Sequence, residues 1–368
     1  MKKTALNPLH VELGARLVDF AGWEMPVQFA GMIAEHQHTR SAASLFDVSH
    51  MGQVLVSATS GDVADAAAAL ETLIPASVAG LAEGRQRYGF ITTNAGGIVD
   101  DLMFANHGDR FLVVLNASRT DVDLEHLRRL DGVRVEHLTD RSLLALQGPL
   151  AATALGRLIA GAQELKFMDS VALDWDQTTV WVSRSGYTGE DGFEVSLPNE
   201  RAVEFARALL TMDDVAPAGL GARDSLRLEA GMPLYGHELT EQISPVEADL
   251  AWAIPKVRRQ GGTRAGGYPG AEVIEAQLAG GAPRRRVGLR IEGRAPVREG
   301  AAVFATPDAD APVGTITSGG FSPTLGGPIA MALIDSAAAV DEVHVELRAK
   351  RVRADVVPMP FVPHKYQR

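Results

Sequence analysis

At 368 residues the chain exceeds what one hydrophobic core usually fills, and with 46% hydrophobic and 22% charged residues it reads as two or three folded domains. The absence of cysteine excludes disulfides, thiolate metal sites, iron-sulfur ligation and a cysteine nucleophile. A formal charge of -11 argues against nucleic-acid binding, and no apolar run reaches membrane-spanning or signal-peptide length, so a cytoplasmic protein without nucleic-acid or membrane partners is expected.

In chain order, Asp62 to Leu73 is alanine- and leucine-rich and predicts a helix. A hairpin follows: Tyr88 to Thr93 is aromatic and β-branched, Asn94-Ala95-Gly96-Gly97 supplies turn chemistry, and Ile98 to Phe104 resumes the apolar run. Asp100 and Asp101 sit side by side in that second strand. Phe111 to Leu115 predicts a buried strand, and Thr120-Asp121-Val122-Asp123 opens a helix with acids in its first turn. Further helices are expected over Pro149 to Ile159, starting at a proline, over Asn199 to Leu210 with Asn199 as cap, and over Arg223 to Ala230. Short strands at Ser142 to Leu146, Thr179 to Val182 and Phe193 to Leu197 alternate with them, which suggests α+β layers.

Composition shifts near Ile254. The stretch Pro255 to Gly267 reads as a glycine- and arginine-rich linker, followed by a helix over Gly270 to Leu278. Between Ala251 and Gly300 ten basic residues face four acidic ones, a local balance of +6 that suits an anionic ligand, an acidic partner or a solvated linker. Short strands then recur at Val287 to Ile291, Ala302 to Phe304, Val313 to Thr317, Ile329 to Ile334 and Glu342 to Leu347, the pattern of a small β barrel or sandwich.

Phosphate-loop, dinucleotide, serine-hydrolase and HExxH motifs are all missing, and the ten histidines are scattered, so no metal site is expected. What remains is carboxylates, arginines and aromatics, the means by which proteins hold a planar heterocycle with a charged tail. They gather in Phe20-Ala21-Gly22-Trp23-Glu24-Met25-Pro26, Phe46-Asp47-Val48-Ser49-His50-Met51-Gly52, the hairpin, Gly186-Tyr187-Thr188-Gly189-Glu190-Asp191-Gly192-Phe193-Glu194-Val195, Gly219 to Gly231, Ser244-Pro245 and Thr317 to Gly326.

Through these segments, in order, the chain resembles the aminomethyltransferases (T-proteins) of the glycine cleavage system from Leu6 to Met359-Pro360-Phe361-Val362-Pro363. The resemblance implies an α+β protein of three domains in a ring around a central folate channel, closed by a C-terminal β-barrel. The divisions are a discontinuous folate-binding domain, 1–51 plus 143–250, a second domain over 52–142 carrying the catalytic hairpin, and the basic linker with the barrel over 251–368. It also implies transfer of an aminomethyl group from the lipoyl arm of a carrier, the H-protein, to tetrahydrofolate with release of ammonia. The chain departs from the family at Arg258 to Gly270, where a compact segment ending in FIG and a basic residue is usual.

Strict alternation puts Asp100 on one face with Ile98 and Leu102, and Asp101 on the other with Val99 and Met103. Periodicity does not choose between them; by motif position Asp101 matches the family's catalytic residue, and Asp100 reads as structural. The resemblance assigns Glu194, Arg223, Asn116 and Tyr366 to folate, with Met51 and Tyr88 lining the channel. Arg227, four residues from Arg223, reads as structural, and His50 as a hydrogen-bonded structural histidine rather than a base. Arg298 matches an arginine of the family's last domain. The basic island has two candidate uses, meeting the folate glutamate tail and docking an acidic carrier.

Three rivals share the fold or its pocket. A folate protein assisting iron-sulfur enzymes carries a cysteine motif that this chain lacks. A tetrahydrofolate-dependent demethylase of a sulfonium or methylamine would use the same pterin site. A non-catalytic folate binder would have no need of Asp101.

Overall fold

The structure is a computed structural model and describes residues 1–338 and 341–368. Its strands fall into three main sheets. The first has six strands in the spatial order Ser170–Trp175, Thr178–Ser183, Gly192–Pro198, Arg141–Gln147, Ala43–Asp47 and Val215–Pro217, antiparallel but for the last pair. Phe193, Val195 and Leu197 face its core, where the stripe Ala202, Phe205, Ala206 and Leu209 of the helix Asn199–Leu210 packs on them. Glu194 and Ser196 therefore point the other way.

The second sheet orders Arg85–Thr92, Ile98–Asn106, Phe111–Leu115, Gly52–Ala58 and Val133–His137, and the helix Val63–Glu71 covers one face. Asp62 caps that helix by accepting from the Ala64 amide. The third is a closed barrel of Arg284–Ile291, Gly327–Asp335, Gly314–Ser322, Ala302–Phe304, Glu342–Leu347 and Lys350–Val357, the one of the two architectures left open by the turn-punctuated short strands that the family resemblance implies.

Several local expectations need correction. Asn199 is the first helical residue, not the cap; its side chain instead accepts from Ser142 Oγ at 2.8 Å and donates to the Thr139 carbonyl at 3.2 Å. The helix expected from Pro149 begins at Ala151, and the one expected from Arg223 begins at Leu220. The basic stretch after Ile254 is not a solvated linker. Arg258 is 4% exposed and donates to the Glu71 carbonyl at 2.5 Å, Arg264 donates to the Glu71 carboxylate at 2.9 Å, and Arg284 to Glu247 at 2.7 Å. Much of the excess positive charge is thus spent on internal acceptors, while Arg298 is exposed.

A buried acid ties the helices to the barrel. Glu229, at the end of the helix Leu220–Glu229, accepts from Arg40 at 2.9 Å, Thr324 Oγ1 at 2.7 Å and the Thr324 amide at 3.0 Å, with Ser322 and His36 completing the set. Burial pushes its pKa up, but these donors, His36 foremost, outweigh burial and hold it at about 2.

The hairpin tip is fixed by close backbone approach. A Cβ on Gly97 would lie 1.9 Å from the Glu241 carbonyl oxygen, and the Ile98 amide donates to Thr240 and Ile243 carbonyls at 3.0 Å each. The glycines thus do more than turn the chain: they seat the strand Ile98–Asn106 against the 240–243 loop.

Candidate active site

The strand Ile98–Asn106 contains an irregularity that strict alternation misses. Phe90 pairs with Asp101 and Ile91 with Asp100, but Thr92 pairs with Ile98, so Val99 is an extra residue, a β-bulge. Val99 consequently joins Leu102 in the core beneath the helix Val63–Glu71, while Ile98 joins Phe90 in a separate cluster with Tyr88 at its edge. The aspartates do occupy opposite faces, as expected; the bulge exchanges the neighbours assigned to them. Asp101 shares its face with Phe90, Tyr88 and Met103.

Asp101 is held by two donors: Tyr88 Oη to Oδ2 at 3.0 Å and Asn116 Nδ2 to Oδ1 at 2.7 Å. Asn116 follows the strand Phe111–Leu115, whose Leu115 pairs with Leu102, and this places its amide beside both aspartates. The same Nδ2 reaches Asp100 Oδ1 at 2.9 Å, and the Asn116 backbone amide reaches Asp100 Oδ2 at 3.2 Å. Burial first, and the Asp100 charge second, push Asp101 up to about 7, against the pull of Tyr88 and Asn116. A carboxylate poised near neutrality can both stabilise positive charge and accept a proton.

A second group faces this one. Arg223 projects over the Tyr187 ring, 4.9 Å from its centroid, and its Nη1 is buried without a partner among the described residues. Glu194 opposes it: burial raises the Glu194 carboxyl and the Arg223 charge lowers it, with Ser185 donating at a long 3.4 Å. A buried unpartnered guanidinium nitrogen costs about 1–3 kcal/mol unless a ligand accepts from it. Tyr187 links the halves, since its hydroxyl is raised by burial and also feels Arg227, Asp101 and Arg223. The Glu194 side also lines a small cavity with Met103, Val114 and Trp181; beyond Trp181 a cavity of about 360 Å³ opens among Glu83, His107, Arg110 and Ser170.

The structure joins Asp101, Asn116 and Tyr88 by hydrogen bonds and sets Glu194 near Arg223, with Tyr187 feeling both groups and Met51 packed on the apolar cluster that includes Leu143 and Ala222. Tyr366 stands apart in its contacts, stacked on Phe167 at 4.1 Å and 7° and tilted against His364. Arg227 is structural as expected, buried and donating to Asp224, Glu238 and Ser318 at 2.8, 3.0 and 2.8 Å. His50 lacks the expected hydrogen bond at Nδ1, which is buried without a partner; burial lowers its pKa to about 4, so it is neutral at pH 7.

Three residues of the site escape sequence reasoning. Tyr187 lies inside a quoted motif but nothing in the pattern marks its role. Trp252, 65% exposed, stacks on Tyr88 at 5.5 Å and 27°, a contact across 164 positions. Asp123 reads as an ordinary first-turn acid, yet it is wholly buried and neither of its carboxylate oxygens meets a donor among the described residues.

Comparison with known proteins bears on the chemistry. Residues 6–258 match the family model of the GCVT N-terminal domain, and residues 284–363 that of the glycine cleavage T-protein C-terminal barrel domain. The chain is 40% identical over its whole length to a mitochondrial aminomethyltransferase of Dictyostelium discoideum, covering 94% of that protein. It is also 40% identical to an aminomethyltransferase of Geobacillus thermodenitrificans, covering 98% of each chain. Among solved structures, the glycine cleavage system aminomethyltransferase T of Bartonella henselae superposes with a TM-score of 0.92 at 39% identity, over 100% of this chain and 99% of that one.

Proposed function

The chain belongs to the glycine cleavage T-protein family and is an aminomethyltransferase, and from that premise we propose that it transfers the one-carbon unit of an aminomethylated lipoyl carrier, the H-protein, to tetrahydrofolate. The products are ammonia, methylene-tetrahydrofolate and the dihydrolipoyl carrier. The observation that carries this reading is a carboxylate held by Tyr88 and Asn116 opposite a Glu194–Arg223 pair with an unsatisfied buried donor.

The residues fit folate. Glu194 can accept from adjacent N–H donors of a pterin, as a carboxylate does with a planar donor pair. Arg223 Nη1 supplies the donor for a pterin oxygen, and its stacking on Tyr187 fixes the plane of the fork. Asp101 stands where the one-carbon unit is exchanged. The attacking aryl amine is neutral at pH 7, so no strong base is needed beforehand. As the bonds from the carbon to ammonia and to the lipoyl sulfur break in turn, positive charge develops on the carbon and two folate nitrogens bond to it, the sulfur leaving with its electron pair to become the carrier thiol; the Asp101 carboxylate stabilises the charge, orients the attacking amine and takes its proton.

Met51 and Tyr88 line the channel in this reading, and Tyr366 contacts folate away from the reacting centre. The three sheets correspond to three domains, 1–51 with 143–250, 52–142 and 251–368, arranged around the folate. The reading is tested by calorimetric titration with tetrahydrofolate: micromolar binding that is lost on Glu194→Gln or Arg223→Lys supports it, and unchanged binding by both variants refutes it.

A further inference from the structure

Gln86 is the second residue of the strand Arg85–Thr92 and is 7% exposed, and its side-chain Nε2 is buried with no acceptor among the described residues. Its backbone amide is satisfied, donating to the Met168 carbonyl at 2.9 Å, so the unmet group is the carboxamide alone. A carboxamide donor sealed from water without an acceptor destabilises the fold that carries it, and such a donor is tolerated where a ligand completes it.

The strand register places that donor. Gln86 stands opposite Ala105, Tyr88 opposite Met103 and Phe90 opposite Asp101, so alternation sets Gln86 on the face that carries Tyr88 and Asp101, with two residues, or about 7 Å, between Gln86 and Tyr88. There Gln86, Met103 and Ala105 line a cavity of about 20 Å³ together with Glu194 and Ser196 of the first sheet. The serines of its wall are engaged. Ser196 Oγ donates to Gln53 at 2.5 Å and accepts from Arg141 at 2.9 Å, Ser170 meets His107 at 3.2 Å, and Ser183 meets Ser185 at 3.3 Å. Two groups are left over: the Gln86 Nε2 donor, and the Glu194 carboxylate with its long 3.4 Å contact to Ser185.

A pterin presents along one edge a carbonyl oxygen, a ring N–H, an amino group and a ring nitrogen, in that order: acceptor, donor, donor, acceptor. Its complement is a donor, a carboxylate and a second donor. Arg223 Nη1 and Glu194 supply the first two. We propose that Gln86 is the third, a specificity-determining residue whose Nε2 donates to the ring nitrogen beside the amino group held by Glu194. A space of about 20 Å³ admits one ring edge or one water, not a whole ligand. The separation of Gln86 from Tyr88, which holds Asp101, matches the span of a two-ring heterocycle, so the recognised edge lies at the end remote from the reacting amine.

The inference rests on the reading of Glu194 as the pterin acceptor. Calorimetric titration with tetrahydrofolate and with 6-methyltetrahydropterin, which keeps the rings and lacks the aryl-glutamate tail, tells the two apart. Gln86→Leu and Gln86→Met remove the donor at similar volume and weaken both ligands by the same factor, about 5- to 30-fold. Each also removes an unsatisfied amide from the free protein, so Tm rises by about 2–4 °C, the opposite of what loss of a scaffold hydrogen bond does. Unchanged Kd in both Gln86 variants, with Glu194→Gln weakened, overturns the role of Gln86 alone and leaves the cavity to a water; unchanged Kd in Glu194→Gln as well overturns the reading beneath it. A Tm that falls in both Gln86 variants puts the carboxamide in the scaffold and also overturns the proposal.

Discussion

The Asn116 amide donates to the Asp101 carboxylate at 2.7 Å while its other contact reaches Asp100 at 2.9 Å, so one side chain joins two acids that point to opposite faces of a strand. The two are unequal because of what else each meets: Asp100 accepts also from the Asn116 backbone amide, and Asp101 from Tyr88.

The Tyr88 hydrogen bond lowers the Asp101 pKa, against burial, which raises it to about 7. Tyr88→Phe removes that help, and Asp101 then ionises at higher pH. Because the ionised form acts, the acid limb of kcat shifts upward by up to about one unit, with roughly two- to tenfold loss at pH 7 and little change at pH 9. A pH–rate profile checks both the direction and the recovery at high pH.

Arg223→Lys keeps the charge but loses the planar fork and its seat over Tyr187. A lost charge-assisted hydrogen bond is worth about 1.5–3 kcal/mol, so the tetrahydrofolate Kd rises roughly 10- to 100-fold. Equilibrium dialysis or calorimetry measures it, with Arg227→Lys, which acts within the scaffold, shifting Tm more than Kd.

Trp252 is a large exposed ring stacked on the residue that holds Asp101. Trp252→Ala removes that support and leaves Tyr88 freer, so kcat falls about two- to fivefold while the protein keeps its Tm, an offset-stacked pair being worth about 0.5–1.5 kcal/mol. Parallel kinetics and thermal melts distinguish this from a folding defect.

Glu229 is held at about 2 from an ordinary value of 4.5. A depressed carboxylate pKa stabilises the fold above pH 4.5, and that stabilisation is lost as pH falls towards 2. Glu229→Gln therefore costs on the order of 2–3 kcal/mol at pH 7, and parent and variant converge below about pH 3. Thermal melts across that range give the sign directly.

Much of this site is legible in the sequence because it lies in local signals. Asn94 to Gly97 announces the hairpin, alternation separates Asp100 from Asp101, and the period-two pattern turns Glu194 away from the core of its sheet. What is not legible depends on distance or on one displaced residue. The bulge at Val99 has no composition signal, yet it decides which apolar neighbours each aspartate keeps. Asp123 looks like a helix-start acid because its burial arises from tertiary packing, and the arginines after Ile254 look like a linker because Glu71, the acid they meet, lies more than 180 positions earlier.

The central claim, that the Asp101 carboxylate serves the one-carbon transfer, is tested most directly by ammonia release from an aminomethylated lipoyl carrier in the presence of tetrahydrofolate, comparing the parent with Asp101→Asn. The isosteric amide keeps the shape and removes the charge, so kcat is predicted to fall about 10²- to 10⁴-fold with tetrahydrofolate affinity within about threefold of the parent. Turnover by Asp101→Asn within a few-fold of the parent's would contradict it.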